Sequence, residues 1–201
     1  TLFPYTTLFR SATLAHHRDA LRHRTAIVAA DRDDALTRLR QVLTPRTRRP
    51  SGMPPRLAFV FTGQGSQYPG MGTHLYATHP TFRAAFDECA ALVHHHAKLG
   101  VDDLLSGGEQ LLDDTHLAQL ALFCLEYALA RLLIGAGIKP AAVIGHSIGE
   151  LVAQTVAGML DLDDAVALVH ERSRLMQAHG PAGAMVAVFA AFALAKILVV
   201  K

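Results

Sequence analysis

The chain has 201 residues, 51% of them apolar and 18% charged, a balance that allows one ordinary hydrophobic core plus an appendage and excludes a disordered or fibrous polymer. Its formal net charge is +2, and the excess of arginine falls in the first quarter, between Arg18 and Arg49, so no basic stripe crosses the body and no nucleic-acid partner is expected. Cys89 and Cys124 have neither a disulfide framework nor metal-ligand spacing around them, which reads as core packing in a reducing, cytoplasmic setting.

Residues 1–11 lack the basic start and apolar run of a secretory signal. Residues 26–30 are an apolar run suited to a short strand, and Leu36, Leu39 and Leu43 give helical spacing over 33–43. Pro45, Pro50, Pro54, Pro55 and Gly52 then mark residues 44–55 as a linker, with a domain boundary near Pro55. Residues 57–61 read as a buried strand feeding a glycine-rich loop, and residues 80–93 as a helix. Asp113, Asp114 and Thr115 offer cap oxygens before an apolar stripe from Leu117 to Leu132, which Gly135 and Gly137 end. Residues 141–144 form a second short strand that runs directly into Gly145-His146-Ser147-Ile148-Gly149, with a helix expected over 150–157. Short strands alternating with helices indicate an α/β layer fold.

A serine hydroxyl becomes a useful nucleophile only when it is held exposed at a sharp bend beside oxyanion donors and a base. The Gly-x-Ser-x-Gly turn provides the bend, because a side chain at either flanking glycine would collide with the neighbouring strand or helix. Ser147 is therefore the candidate nucleophile, and the Ile148 N–H at the helix N-terminus a candidate oxyanion donor. If the two strands are parallel neighbours, the loop Gly63-Gln64-Gly65-Ser66-Gln67 meets the serine turn at their carboxyl ends, and Gln64 can face Ser147. That loop lacks the Gly-Lys-Ser/Thr of a phosphate loop and the glycine spacing of a dinucleotide fingerprint.

Asp161 is a candidate N-cap for a helix through Gln177. Advancing about 100° per residue places Asp163, Asp164, His170, Glu171, Arg174 and Gln177 on a polar arc, and Leu162, Ala165, Val166, Leu168, Val169, Ser173, Leu175 and Met176 on an apolar one. Arg172 falls in the apolar arc and must find a partner, because an unpaired buried charge is costly. Two readings stay open: an arginine that snorkels or pairs with a structural carboxylate, and a fork aimed at the free carboxylate of a substrate. Adjacent histidines such as His16-His17 and His94 to His96 diverge on a helix with no carboxylate spaced to complete a ligand set, so no metal is expected. Residues 182–195 are uncharged and mostly apolar, but Lys196 ends the run short of the roughly 20 residues of a bilayer span, and no membrane partner is expected.

Phe59-Val60-Phe61-Thr62-Gly63-Gln64-Gly65-Ser66-Gln67, Gln119-Leu120-Ala121-Leu122-Phe123, Gly145 to Glu150 and Arg172-Ser173-Arg174-Leu175-Met176 occur in an order and spacing that closely resemble malonyl-CoA:acyl carrier protein transacylases, above all the acyltransferase domains of modular type I polyketide synthases. The resemblance covers residues 14–188. It implies an α/β-hydrolase-like large subdomain over 56–180 and the truncated start of a ferredoxin-like small subdomain over 181–201. It further implies a ketosynthase-to-acyltransferase linker remnant over 14–55, while residues 1–13 are expected to be a foreign or disordered lead, of which 1–11 resembles translated sequencing-adapter sequence.

By the same resemblance Ser147 is the nucleophile, Gln64 and the Ile148 N–H form the oxyanion hole, Arg172 binds the malonyl carboxylate and Gln119 lies in the substrate site. The implied substrates are malonyl-CoA or a related acyl-CoA and the phosphopantetheine of an acyl carrier protein. A ketosynthase domain is the implied neighbour, and no cofactor is held. Ile148, an aliphatic residue after the serine, goes in this family more often with malonyl than with methylmalonyl selectivity. The family's catalytic histidine lies beyond the small subdomain and has no counterpart here: His170 is on the polar arc, His179 precedes a Gly-Pro break, and His146 is structural. The rivals are a serine acyl hydrolase or thioesterase, and a catalytically incomplete piece without its general base.

Overall fold

A computed structural model of the chain describes residues 27–42, 56–106, 108 and 113–179. The lead at 1–13, the proline-rich linker at 44–55 and the small-subdomain start expected at 181–201 lie outside them. The chain divides into two compact units, Thr1–Pro55 and Arg56–Lys201. In the first, residues 27–30 are not a strand. Asp31 Oδ1 instead accepts from the backbone N–H groups of Asp33 and Asp34, each at 2.9 Å, and starts helix α1, Arg32–Val42. The Asp31 cap ends the extended run that the apolar composition of 26–30 suggested. No residue of α1 is buried.

In the second unit the described elements follow the order β1 (Ala58–Phe61), α2 (Thr73–Thr78), α3 (Pro80–Ala97), α4 (Val101–Ser106), α5 (Thr115–Gly135), β2 (Ala142–Gly145), α6 (Ile148–Val156) and α7 (Leu162–His179). Pro80 opens α3 at a position where its missing N–H costs nothing. Asp114 caps α5, its side chain accepting from Leu117 N at 2.9 Å. Asp161 begins α7 through its carbonyl, which accepts from Ala165 N at 2.9 Å.

Helix α5 is the axis of the core. Every residue from Leu117 to Ala128 is buried, so the expected stripe is in fact a helix covered all round, and the polar Gln119 and Glu126 are buried with it. Its length and composition would suit a bilayer span, but 72% of that window is buried inside the protein. Helices α3, α6 and α7 pack around it. Phe82, Phe86 and Val93 enter from α3, Val152 from α6, and Val166 and Val169 from α7. Cys89 and Cys124 are free and buried, their sulfurs 3.2 Å apart between α3 and α5.

Strands β1 and β2 pair in parallel, Ala58 opposite Ala142 through Phe61 opposite Gly145. Their carboxyl ends therefore lie side by side. The strands alternate rather than being buried throughout: Phe61 is in the core, while Val60 and its register partner Ile144 are 71% and 60% exposed. On α7, Ala165, Val166, Val169 and Ser173 are buried as the apolar arc requires. Leu168, Leu175 and Met176 of the same arc are exposed, and His170 of the polar arc is half-buried against other histidines. The buried face is thus narrower than the arc and turned toward His170, where α7 packs against α3, α5 and α6.

Candidate active site

The serine turn is built from what glycine lacks. Ser147 has φ 56° and ψ −115°, a backbone state that an L-residue adopts only when its surroundings impose it. A Cβ on Gly145 would run into the backbone of Gly149, and one on Gly149 would strike the Thr62 carbonyl and lie 2.6 Å from that of Phe61. The elbow is therefore pressed directly against the end of β1. His146 N donates to Phe61 O at 3.1 Å, and the His146 ring covers Gly63 so closely that a Cβ there would sit 2.7 Å from Nδ1. His146 is thus the contact between the two glycine-rich loops.

Ser147 is exposed, while Ile148 behind it is completely buried and anchors the first turn of α6. Gly149 N donates to His146 O and Glu150 N to Ser147 O. The N–H of Ile148 has no acceptor among the described residues, as befits the first position of a helix.

Arg172 reaches this turn from α7. Its Nη2 donates to Ser147 Oγ at 2.9 Å and its Nη1 to Gln119 Oε1. Among the described residues no carboxylate lies within ion-pair distance of it. Gln119, 1% exposed, continues the line: its Nε2 is 3.4 Å from Gln64 Oε1, and Gln64 Nε2 donates to Thr115 Oγ1 at 3.1 Å. A continuous hydrogen-bonded path thus joins Ser147, Arg172, Gln119, Gln64 and Thr115. The Gln64 side chain turns toward α5 and meets Ser147 only through Gln119 and Arg172. Its backbone N–H has no acceptor among the described residues.

Several supporting residues escaped sequence reasoning. Thr115 N donates to Gln177 Oε1 at 2.9 Å, and His116 Nδ1 is 2.8 Å from Ser173 Oγ, so the start of α5 is pinned to the Arg172 helix. Glu126 accepts from Thr62 N at 2.8 Å and from Thr62 Oγ1 at 2.5 Å, and its burial pushes its carboxyl above the ordinary range. His170 stacks against His96 and lies edge-on to His116, with burial holding both His170 and His116 below their ordinary value. Among the described residues no group of three or more His, Cys, Asp or Glu side chains is placed to hold a metal ion.

An exposed serine on a strained strand-to-helix corner, with a helix N-terminal N–H that has no acceptor and a cation that has no carboxylate partner among the described residues, forms an arrangement able to accept an acyl group that carries negative charge. Comparisons with known proteins point the same way. Residues 58–197 match the acyl transferase domain family. The spectinabilin polyketide synthase system protein NorA of Streptomyces orinoci is 41% identical over 185 residues, which are 89% of this chain and 10% of that protein. The acyl transferase domain of SpnD, solved in complex with 2-(pent-4-yn-1-yl)malonyl, superposes with a TM-score of 0.72 at 37% identity, covering 82% of this chain and 40% of that one. The malonyl-CoA:ACP transacylase of Synechocystis sp. PCC 6803 gives a TM-score of 0.55 at 34% identity over 62% of this chain and 41% of that one. The chain thus spans a tenth of that curated relative and about two fifths of these solved domains. It is a member of the acyl transferase domain family, of the kind found in polyketide synthases.

Proposed function

We propose that this chain supplies the nucleophile-bearing part of an acyltransferase that moves a malonyl-type group from coenzyme A to the phosphopantetheine thiol of an acyl carrier protein, with Ser147 as the acyl carrier. The observation that supports this reading most is the 2.9 Å hydrogen bond from Arg172 to Ser147 Oγ, made by a guanidinium with no carboxylate partner among the described residues. In a malonyl-serine one methylene separates the ester carbonyl from the free carboxylate, so a fork already at Oγ has only to swing outward to take both carboxylate oxygens.

Ser147 Oγ adds to the thioester carbonyl as its proton passes to a base, and negative charge collects on the carbonyl oxygen. The Ile148 N–H and the backbone N–H of Gln64 are the donors assigned to that oxygen. Collapse breaks the C–S bond, and coenzyme A leaves as the thiol with the proton returned. The phosphopantetheine thiol then attacks the acyl-serine by the reverse sequence, which restores Ser147. The described unit corresponds in this reading to the α/β-hydrolase-like large subdomain, with residues 181–201 opening a ferredoxin-like small subdomain and residues 14–55 forming the linker from a ketosynthase. The setting is cytoplasmic, with no bound cofactor.

One observation favours a narrower reading. Among the described residues Ser147 Oγ has Arg172 as its partner and no histidine or carboxylate, so these elements hold an acylation site without its base. Incubating the chain with malonyl-CoA and with acetyl-CoA, and weighing it intact, separates the possibilities. A malonyl adduct that is absent from Ser147→Ala, and lost from Arg172→Ala for malonyl but not for acetyl, supports the transferase. A hydrolase predicts turnover of simple acyl esters that is indifferent to Arg172→Ala. No adduct at all sinks the claim that the chain is active by itself.

A further inference from the structure

Helix α5 buries two polar side chains that its apolar neighbours do not need, Gln119 and Glu126. Seven residues are close to two full turns, so the two project from nearly the same face. Gln119 holds the Gln64 side chain, and Glu126 holds Thr62 by both its N–H and its hydroxyl. The residue between these points, Gly63, has no room to move toward the elbow because the His146 ring lies against it. A buried carboxylate is a costly way to fill a helix position, and a hydrophobic residue would pack there more cheaply.

We propose that Glu126 is a positioning residue for the acyl transfer: it fixes Thr62 at the end of β1 and, with Gln119, clamps the Gly63-Gln64 corner at the height where the Gln64 N–H serves the oxyanion. This rests on the function proposed above. The carboxylate also sets the direction of a hydrogen-bond chain. Glu126 Oε1 accepts the Thr62 N–H, and the Thr62 hydroxyl donates to the same oxygen. The Thr62 oxygen, 2.7 Å from Ser66 Oγ, must then accept from Ser66. Ser66 Oγ also lies 3.1 Å from the Gly63 carbonyl, a second acceptor within reach of its one hydroxyl proton. Among the described residues Glu126 Oε2 is buried without a partner, so a single oxygen carries the anchor to Thr62.

The test uses the full chain with Glu126→Leu, Glu126→Gln and Thr62→Val, each checked for native circular dichroism. The readouts are the rate of Ser147 malonylation at saturating malonyl-CoA, the half-saturating concentration, and the amide resonances of Thr62 and Gln64. Loss of an oxyanion donor's placement lowers the rate and not the binding, so Glu126→Leu should be slower by about 30-fold or more at an unchanged half-saturating concentration. Glu126→Gln, whose amide oxygen still accepts, should recover to within about fivefold, with Thr62→Val in between. A wild-type rate in Glu126→Leu, or an effect confined to the half-saturating concentration, overturns the proposal. Should Glu126→Leu fail to fold, an unchanged rate in Thr62→Val overturns it instead. If the wild type takes no malonyl group, the claim that the chain is active by itself fails separately and the amides decide the clamp. The Gln64 resonance must then move in Glu126→Leu, or in Thr62→Val if that variant is unfolded, and stay in place in Glu126→Gln; an unmoved Gln64 refutes it.

Discussion

Arg172 donates to Ser147 Oγ at 2.9 Å across 25 residues of sequence, and Gln119, from a third element, accepts from the same guanidinium. Helices α5 and α7 thereby set the position of a cation at a serine that neither of them carries. The distance from cation to nucleophile depends on how these helices pack, and the consequences can be measured.

Gln119→Leu should leave the fold intact, since the site is buried and a leucine is close in volume. Arg172 then loses its acceptor and Gln64 its donor. Malonylation of Ser147 should fall roughly tenfold to a hundredfold, the worth of a hydrogen bond to a charged group, while acetylation changes much less. In the double variant with Arg172→Ala the losses should not add, because both act through the guanidinium. Rates of adduct formation by intact mass give all three values.

Both Ser147→Ala and Ser147→Gly should abolish acylation, but they should differ in stability. Alanine keeps the penalty of φ 56°, which glycine does not feel. The glycine variant is expected to be the more stable by about 1 kcal/mol in urea unfolding. Equal midpoints would mean that the corner is not strained.

Gly149→Ala is predicted to be severely destabilising. Its Cβ would press on the carbonyls of Thr62 and Phe61, which are backbone and cannot rotate aside. A loss of about 3 kcal/mol is expected from urea unfolding, at the upper end for overpacking.

The histidine stack predicts a pH dependence. Burial, followed by the charge of a neighbouring histidine, holds His170 and His116 below their ordinary value of 6.5. For a depressed pKa the stabilisation is present above 6.5 and is lost as the pH falls through the lower folded value. The facing groups are His96 with Asp163 on one side and Glu171, Arg174 and Asp114 on the other. The melting temperature should therefore drop as the pH falls from 6.5 downward, and His170→Phe, which removes one titrating ring, should make the drop shallower.

Much of this was legible in the residues themselves. The apolar runs before Gly63 and Gly145 announced the strands, and Arg172 betrayed itself by standing in an apolar arc. Glu126 was invisible for the opposite reason. It sits in a helix covered all round, where a 3.6-residue stripe cannot reveal which side a polar group faces, and its partner Thr62 is 64 residues away. The run at 26–30 misled because composition favours a strand there while the Asp31 cap starts a helix just after it. His170 stands on the polar arc yet is half-buried, because an arc drawn on one helix knows nothing of His96 and His116 on two others.

Val60 and Ile144, paired across β1 and β2, carry a consequence for handling the chain in solution. Two β-branched side chains side by side on the open face of the two described strands form the sort of surface on which copies adhere to one another as concentration rises. Neither reaches the core, so threonine at both positions would keep strand propensity and shape while removing the grease. Light scattering of the purified chain should rise with concentration, and the Val60→Thr, Ile144→Thr double variant should flatten it at an unchanged melting temperature.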